Sequence, residues 1–185
     1  MVDHQFDKVD FKATPLQAGE YENCVFLNCD LSGADLSGLI FIACRFKDSN
    51  LSMARLGRAS FREVVFEGCK MVGLHFEDAL PFLVPPEFIN CDLGVSSFVE
   101  VKLPGVRFSH CQLQEVDFTG AHLAGAIFEK SDLHRAVFSG THLEKADFRS
   151  ALHYSIDPTR NKVRKARFSL DGAIGLLDQF NVIID

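Results

Sequence analysis

The chain of 185 residues has no tryptophan, two tyrosines and three methionines, yet it has eighteen phenylalanines. Aromatic content drawn almost wholly from one residue type implies that one kind of slot is filled again and again. Long apolar runs are missing too. None approaches the ~20 residues a bilayer span needs, and Met1 to Phe11 lacks the basic and apolar zones of a secretory signal, so a cytoplasmic protein with no membrane contact is expected. Six cysteines occur without a single Cys-X-X-Cys pair, which argues against a zinc or dithiol motif. An excess of positive charge is absent as well: 19 Lys and Arg face 25 Asp and Glu, and no direct contact with nucleic acid is expected. What remains, 47% apolar content, is enough to bury the core of one domain.

That apolar content is periodic. From Phe88 to Phe148 every fifth residue is Phe or Leu, strictly in turn, and two positions before each stands a slim residue such as Cys91, Val101, Cys111, Ala121 or Ala146. The same register opens the chain, from Phe6 and Phe11 through Phe26, Phe46 and Phe66 to Phe76. Neither the helical period of 3.6 nor the strand period of 2 fits. An inward pair spaced by two, followed by a gap of three, requires a bend once per quintet, and four bends close a coil. Successive coils can then pair like parallel strands at about 4.8 Å, so residues twenty apart should stack. All six cysteines, Cys24, Cys29, Cys44, Cys69, Cys91 and Cys111, fall on the slim inward position, where a reduced thiol behaves as a small apolar group. Leu39 and Leu74 are large for that slot and are expected to force local bulges.

The register breaks once. Phe76 and Phe88 are twelve residues apart, two more than a multiple of five. An insertion of two residues would stack Phe66 on Phe88 and Phe76 on Phe98, with Leu83 as the missing centre. An insertion of seven would loop out the whole of Glu77 to Glu87. Either way the excursion at about 77–87 carries Leu80, Pro81, Phe82, Val84 and Pro85, unusually apolar for a surface segment and therefore a candidate partner-binding loop.

The stretches CDLSGADLSG, AHLAGAIFEKSDLHRAVFSG and KADFRS resemble the pentapeptide-repeat family, whose consensus is A(D/N)LXX, and the resemblance covers most of residues 6–151. It implies an all-β solenoid, a right-handed quadrilateral β-helix, over residues 1–151. Residues 152–185 are expected to form a basic connector and a C-terminal α-helix. From Ser169, a plausible N-cap, Leu170, Ala173, Ile174 and Leu177 lie on one helical stripe that could seal the rod's end. Leu176 and Phe180 lie on another and, with Ile183 and the apolar Val182 and Ile184, lack a partner within the chain, so a homodimer through Leu176, Phe180 and Ile183 is expected. A C-terminal helix after the repeats also resembles the topoisomerase-protecting members of the family, the Qnr, MfpA and McbG-like proteins.

No catalytic constellation stands out, and no cofactor or metal is expected. GADLSG lacks the Gly-Lys-Ser/Thr that a phosphate loop needs. His122 and His142 are twenty apart, with Lys102 in the same column, and without a third ligand they read as a solvated ladder. Residues 1–148 hold 13 Lys and Arg against 21 Asp and Glu, net −8, whereas residues 149–185 hold 6 against 4, net +2. Many acids, among them Asp30, Asp35, Asp92, Asp117, Asp132 and Asp147, stand just before a central residue, where Asp suits a turn. The resemblance implies a second role for this acidic surface, partial mimicry of DNA, although its average charge is far below the one per about 1.7 Å of a duplex. The resemblance, with its full-length repeats, one interrupting loop and a C-terminal helix, implies a nonenzymatic protein that binds DNA gyrase or another type II topoisomerase and shields it from quinolones or a peptide toxin. A scaffold or regulatory protein with an unrelated protein partner is the alternative.

Overall fold

In the computed structural model, which describes residues 1–180, 182 and 183, the five-residue period becomes a four-sided parallel β-solenoid. Its strands are three residues long: β1 (Gln5–Asp7), β2 (Glu20–Glu22), β3 (Val25–Leu27), β4 (Ile40–Ile42), β5 (Arg45–Lys47), β6 (Ser60–Arg62), β7 (Val65–Glu67), β8 (Glu87–Ile89), β9 (Arg107–Ser109) and β10 (Ile127–Glu129). The first side is a seven-stranded sheet in the order β1-β3-β5-β7-β8-β9-β10, and β2-β4-β6 belong to another. Partners lie twenty residues apart, Phe6 opposite Phe26 and Tyr21 opposite Phe41. The other two sides carry single-residue bridges, Asp10–Asp30–Asn50–Lys70 on one and Ser97–Asp117–Val137 on the other.

The corners explain why five residues suffice per side. The residue two after most centres turns through the left-handed region, as at Asn23 and Asn28 (φ 52°) and Gly33 (φ 67°). Asn and Gly adopt this conformation at little cost, whereas β-branched Val95 at φ 51° is strained. Asp or Asn before the centre closes the same turn from the other direction. Its side-chain oxygen accepts from the N–H two residues on, Asp30 from Ser32 (2.9 Å), Asp117 from Thr119 (2.8 Å) and Asn50 from Ser52 (3.0 Å).

Inside, the centres stack by type. One column is Phe throughout, with ring centroids 4.5 Å apart at Phe26–Phe46 and 4.7 Å at Phe128–Phe148, and it runs from Phe6 to Phe168. The slim slots hold all six cysteines, unpaired and buried. They are more than apolar filler, because each slot faces the carbonyl of a centre on the preceding coil. Ser49 and Thr141 donate to Phe26 and Phe118 at 3.1 and 2.9 Å, and the thiols of Cys69 and Cys91 reach Phe46 and Phe66 at 3.3 and 3.4 Å.

Three expectations change. Leu39 forces no bulge: it is buried, the flanking ladder runs on from Ile40 to Ser60, and its column neighbours are Gly19 and Ala59, small enough to make room. Leu74 is also buried, and beside it the bridge ladder that joins Asp35 to Arg55 and His75 to Ser97 has no rung between Arg55 and His75. The C-terminal helix is 3₁₀ rather than α, in segments Asp171–Leu176 and Asp178–Phe180. Gly172 and Gly175 lower helix propensity there and let the backbone press against Tyr154: a Cβ at Gly172 would overlap its hydroxyl, and one at Gly175 its carbonyl. A bond from the Ile156 N–H to the Gly175 carbonyl (2.9 Å) ties the segment to the rod. Leu176, expected to face outward, packs on the core, while Leu170 and Ile174, expected to seal the rod's end, are exposed along with Phe180, so neither stripe meets the rod as a unit. Ile184 lies outside the described residues.

Candidate protein-interaction surface

The loop is built from a shared excess of residues. Phe66 stacks on Phe88 (5.5 Å) and Phe76 on Phe98 (4.2 Å), which is the two-residue insertion. The missing centre, however, is Phe82. Its ring lies 6.4 Å from Phe61 and nearly parallel to it, whereas Leu83 is 80% exposed. The step of twelve divides into six and six, so one extra residue enters on each side of Phe82 and the inward position moves from the place expected for Leu83.

A 3₁₀ turn at Phe76–Asp78 begins the excursion, and the Leu80 N–H still bonds the Ala59 carbonyl (2.8 Å). The ladder resumes where the Glu87 N–H meets the Val64 carbonyl (3.1 Å). Between these points Pro81, Pro85 and Pro86 have no N–H to offer, which stiffens the segment and suits it to leave the sheet. Leu80, Leu83 and Val84 are exposed and contiguous in the chain with Phe82, which holds the loop down. Beside them lies a groove of about 330 Å³ lined by Phe76, Leu80, Pro81, Phe82 and Val101, with Glu77, Glu100 and Lys102 as its charged groups.

The six acids singled out from the sequence are not brought together. Asp30, Asp92 and Asp132 stand on one side, Asp35 and Asp117 on a second, and Asp147 on the side of the seven-stranded sheet. Three of them already face cations, Asp30 with Lys12 (3.1 Å), Asp35 with Arg55 (2.8 Å) and Asp147 with Arg149 (2.6 Å), and Asp132 pairs with the His153 imidazole (2.8 Å). The Ser37 hydroxyl and N–H, with Arg55, hold the Asp35 carboxyl down at about 2. Ser32 depresses Asp30, and Arg149 depresses Asp147. At Asp132 burial pushes upward, but hydrogen bonds from His153 and Gln114 prevail and the carboxyl lies low. These groups are occupied with turns and pairs, which leaves little continuous negative field.

At the C-terminal end Phe180 and Ile183 are exposed, by 49% and 88%, while Leu176 is half-buried against the core. A cleft of about 580 Å³ separates the 3₁₀ segment from the rod, lined by His134, Arg149, Tyr154 and Asp171 among others. Among the described residues no group of three or more His, Cys, Asp and Glu could hold a metal ion, and no helix is long and apolar enough to cross a membrane.

Residues 19–80 and 82–168 match the family described as pentapeptide repeat region, and the gap between the two stretches falls within the loop. The quinolone resistance pentapeptide repeat protein QnrB96 of Scandinavium goeteborgense is 41% identical over 51 residues, which span 27% of this chain and 24% of that protein. Among solved structures, HetL, a pentapeptide repeat protein involved in heterocyst differentiation regulation from the cyanobacterium Nostoc sp., is 17% identical over 93% of this chain and 85% of its own, with a TM-score of 0.56, a likeness of fold. The plasmid-mediated fluoroquinolone resistance protein QnrB1 is 24% identical over 100% of this chain and 97% of its own, with a TM-score of 0.48.

Proposed function

We propose that this chain, which belongs to the pentapeptide-repeat family, is a nonenzymatic binding protein that engages a type II topoisomerase, DNA gyrase, and shields it from quinolones or a peptide toxin. The observation that carries the reading is the loop. It holds Leu83 and Val84 in water on a stiff, proline-rich support, and an apolar excursion of that kind costs solubility unless a partner covers it. The 51-residue likeness to a protein named for quinolone resistance supports the choice of partner. Mimicry of DNA by the six acids contributes at most in part, since they are divided among three sides and mostly paired. The rod's C-terminal end joins two copies through Phe180 and Ile183, with Leu176 turned toward its own rod.

The test is a DNA supercoiling assay with gyrase, with and without a quinolone, at increasing protein concentration. The double substitution Leu83→Ser with Val84→Ser should leave the protein folded and abolish its effect on gyrase. Full retained activity would remove the loop from the contact. No effect of the natural protein at any concentration would move the reading to a scaffold with an unrelated partner.

A further inference from the structure

The side that carries the loop continues beyond it as a basic strip. Lys102, His122, His142 and Lys162 form one bridge ladder, each on the outward position just before a centre. The two imidazoles stack with centroids 4.1 Å apart, and the Lys162 Nζ lies 2.9 Å from the His142 Nε2. Lys145, Arg164 and Lys165 stand exposed at the same end. Among the described residues none of these five Lys and Arg side chains makes an ion pair. The adjacent side mixes the two states: there Arg45 and Lys47 share Glu67, Arg107 meets Glu129 and Arg149 meets Asp147, while Lys130 and Arg167 are exposed without an ion pair among the described residues. On a chain of net charge −6, five such cations along one side make a local positive field.

At the N-terminal end of this strip Lys102 also lines the groove beside Leu80 and Phe82, a largely apolar groove that Glu77 and Glu100 line as well, so the carboxylates of a ligand must run away from it along the ladder. Positive charge without apolar surface would suit any polyanion. Exposed Leu83 and Val84 offer nothing to a phosphodiester chain, but they suit aliphatic or aromatic side chains. We propose that this side takes an extended acidic segment of a partner protein, anchored by one apolar side chain in the groove, with its carboxylates along Lys102, His122, His142 and Lys162. The proposal rests on the loop being the protein contact, and it adds the chemistry of what is contacted.

The ladder also gives the interaction a pH dependence. His122 is held low by burial and then by His142, Lys102 and Lys162, against the opposing pull of Glu144. Carboxylates laid along the ladder favour the protonated imidazole, so binding takes up protons and strengthens as pH falls.

The experiment uses the full chain and a fluorescein-labelled peptide of one Phe followed by a run of Glu, read by anisotropy at low salt. A peptide with Gln in place of Glu and a single-stranded oligonucleotide of equal charge run beside it. We expect the Glu peptide to bind, the Gln peptide not to, and binding to tighten from about pH 8 to about pH 6. Lys102→Gln with Lys162→Gln should weaken it about tenfold, with thermal melting unchanged because both side chains are exposed. Absent or pH-independent binding, equal binding of the Gln peptide, an undiminished double variant, or tighter binding of the oligonucleotide would each overturn the proposal. Gyrase is absent from this assay, so a failure here leaves the topoisomerase reading standing, and a null supercoiling result leaves the strip standing.

Discussion

Replacing Phe108 by Ala removes one ring from the middle of a stack. Its column neighbours Phe88 and Phe128 have centroids 5.0 and 5.4 Å away, and Phe98 and Phe118 meet it edge-on at 5.9 and 6.0 Å. The side chain is fully buried, so the substitution empties a ring-sized volume bounded on four sides by other rings. In a helical core such a hole partly collapses. Here the coils above and below are held apart by ladder bonds such as that from the Ile127 N–H to the Val106 carbonyl (2.9 Å), and the rings cannot close without breaking them. The cost therefore belongs toward the upper end of the range for Phe→Ala, about 3–5 kcal/mol. At roughly 2–4 °C per kcal/mol for a chain of this size, the midpoint should fall by about 10 °C or more. Ser109, outward by register, is a poor control because it is buried and donates to Glu129 (3.1 Å). Val137, half-exposed on an outward rung, is better, and Val137→Thr should stay within about 0.5 kcal/mol. Urea and thermal denaturation of both variants decide the matter. Equal shifts at the two positions, or a loss below about 1 kcal/mol at Phe108, would refute the rigid-column argument.

The six thiols should label slowly in the native state, at a rate set by unfolding, because all are buried and burial pushes the Cys44 thiol up to about 11; prompt reaction of several with a thiol reagent would contradict the slots. Val95→Asn should raise stability by about 1 kcal/mol, since it relieves a β-branched residue at φ 51° on an exposed corner, and a lower urea midpoint would deny that corner its left-handed turn. Asp30, Asp35 and Asp147 titrate below the unfolded value of about 3.9, so their contribution is present above that pH and is lost as pH falls through the folded values. Unfolding should thus set in between about pH 4 and about pH 2, with a shallower dependence in Asp35→Asn, and a midpoint constant across that interval would go against the Asx-turn assignment.

The solenoid was legible because its cause is local and repeated. Each quintet states its own inward pair, and Phe26, Phe46 and Phe66 can stack only if twenty residues close one coil. Where a single residue had to be judged alone, the reading was weaker. Leu39 looked oversized because the rooms above and below it, Gly19 and Ala59, belong to other coils and become neighbours only after closure. The C-terminal segment showed a helical stripe, but the choice between α and 3₁₀ lay in how closely Gly172 and Gly175 approach Tyr154, which no periodicity encodes.

The interaction surface was harder to read because exposure depends on a division the sequence states only as a sum. Twelve residues between Phe76 and Phe88 allow five and seven as well as six and six. With five and seven in either order, Pro81 or Leu83 would point inward; with six and six, Phe82 does. Burial favours the last, since a phenyl ring in line with Phe61 removes more apolar surface from water than a leucine or a proline would. Once Phe82 is inside, Leu83 and Val84 must be outside, because the two residues after a centre face solvent and the corner. The same logic separates the cations. Arg45 and Arg107 were indistinguishable from Lys102 and Lys162 as letters, yet the first two have an acid one coil further on, at Glu67 and Glu129, and the ladder from Lys102 to Lys162 has imidazoles on its inner rungs instead. Apart from local pairs such as Arg149 with Asp147, whether a charge on such a rod is spent or free is thus decided at a separation of about twenty residues, and a column-wise reading of the chain at that spacing would have located both the ring in line with Phe61 and the ladder from Lys102 to Lys162.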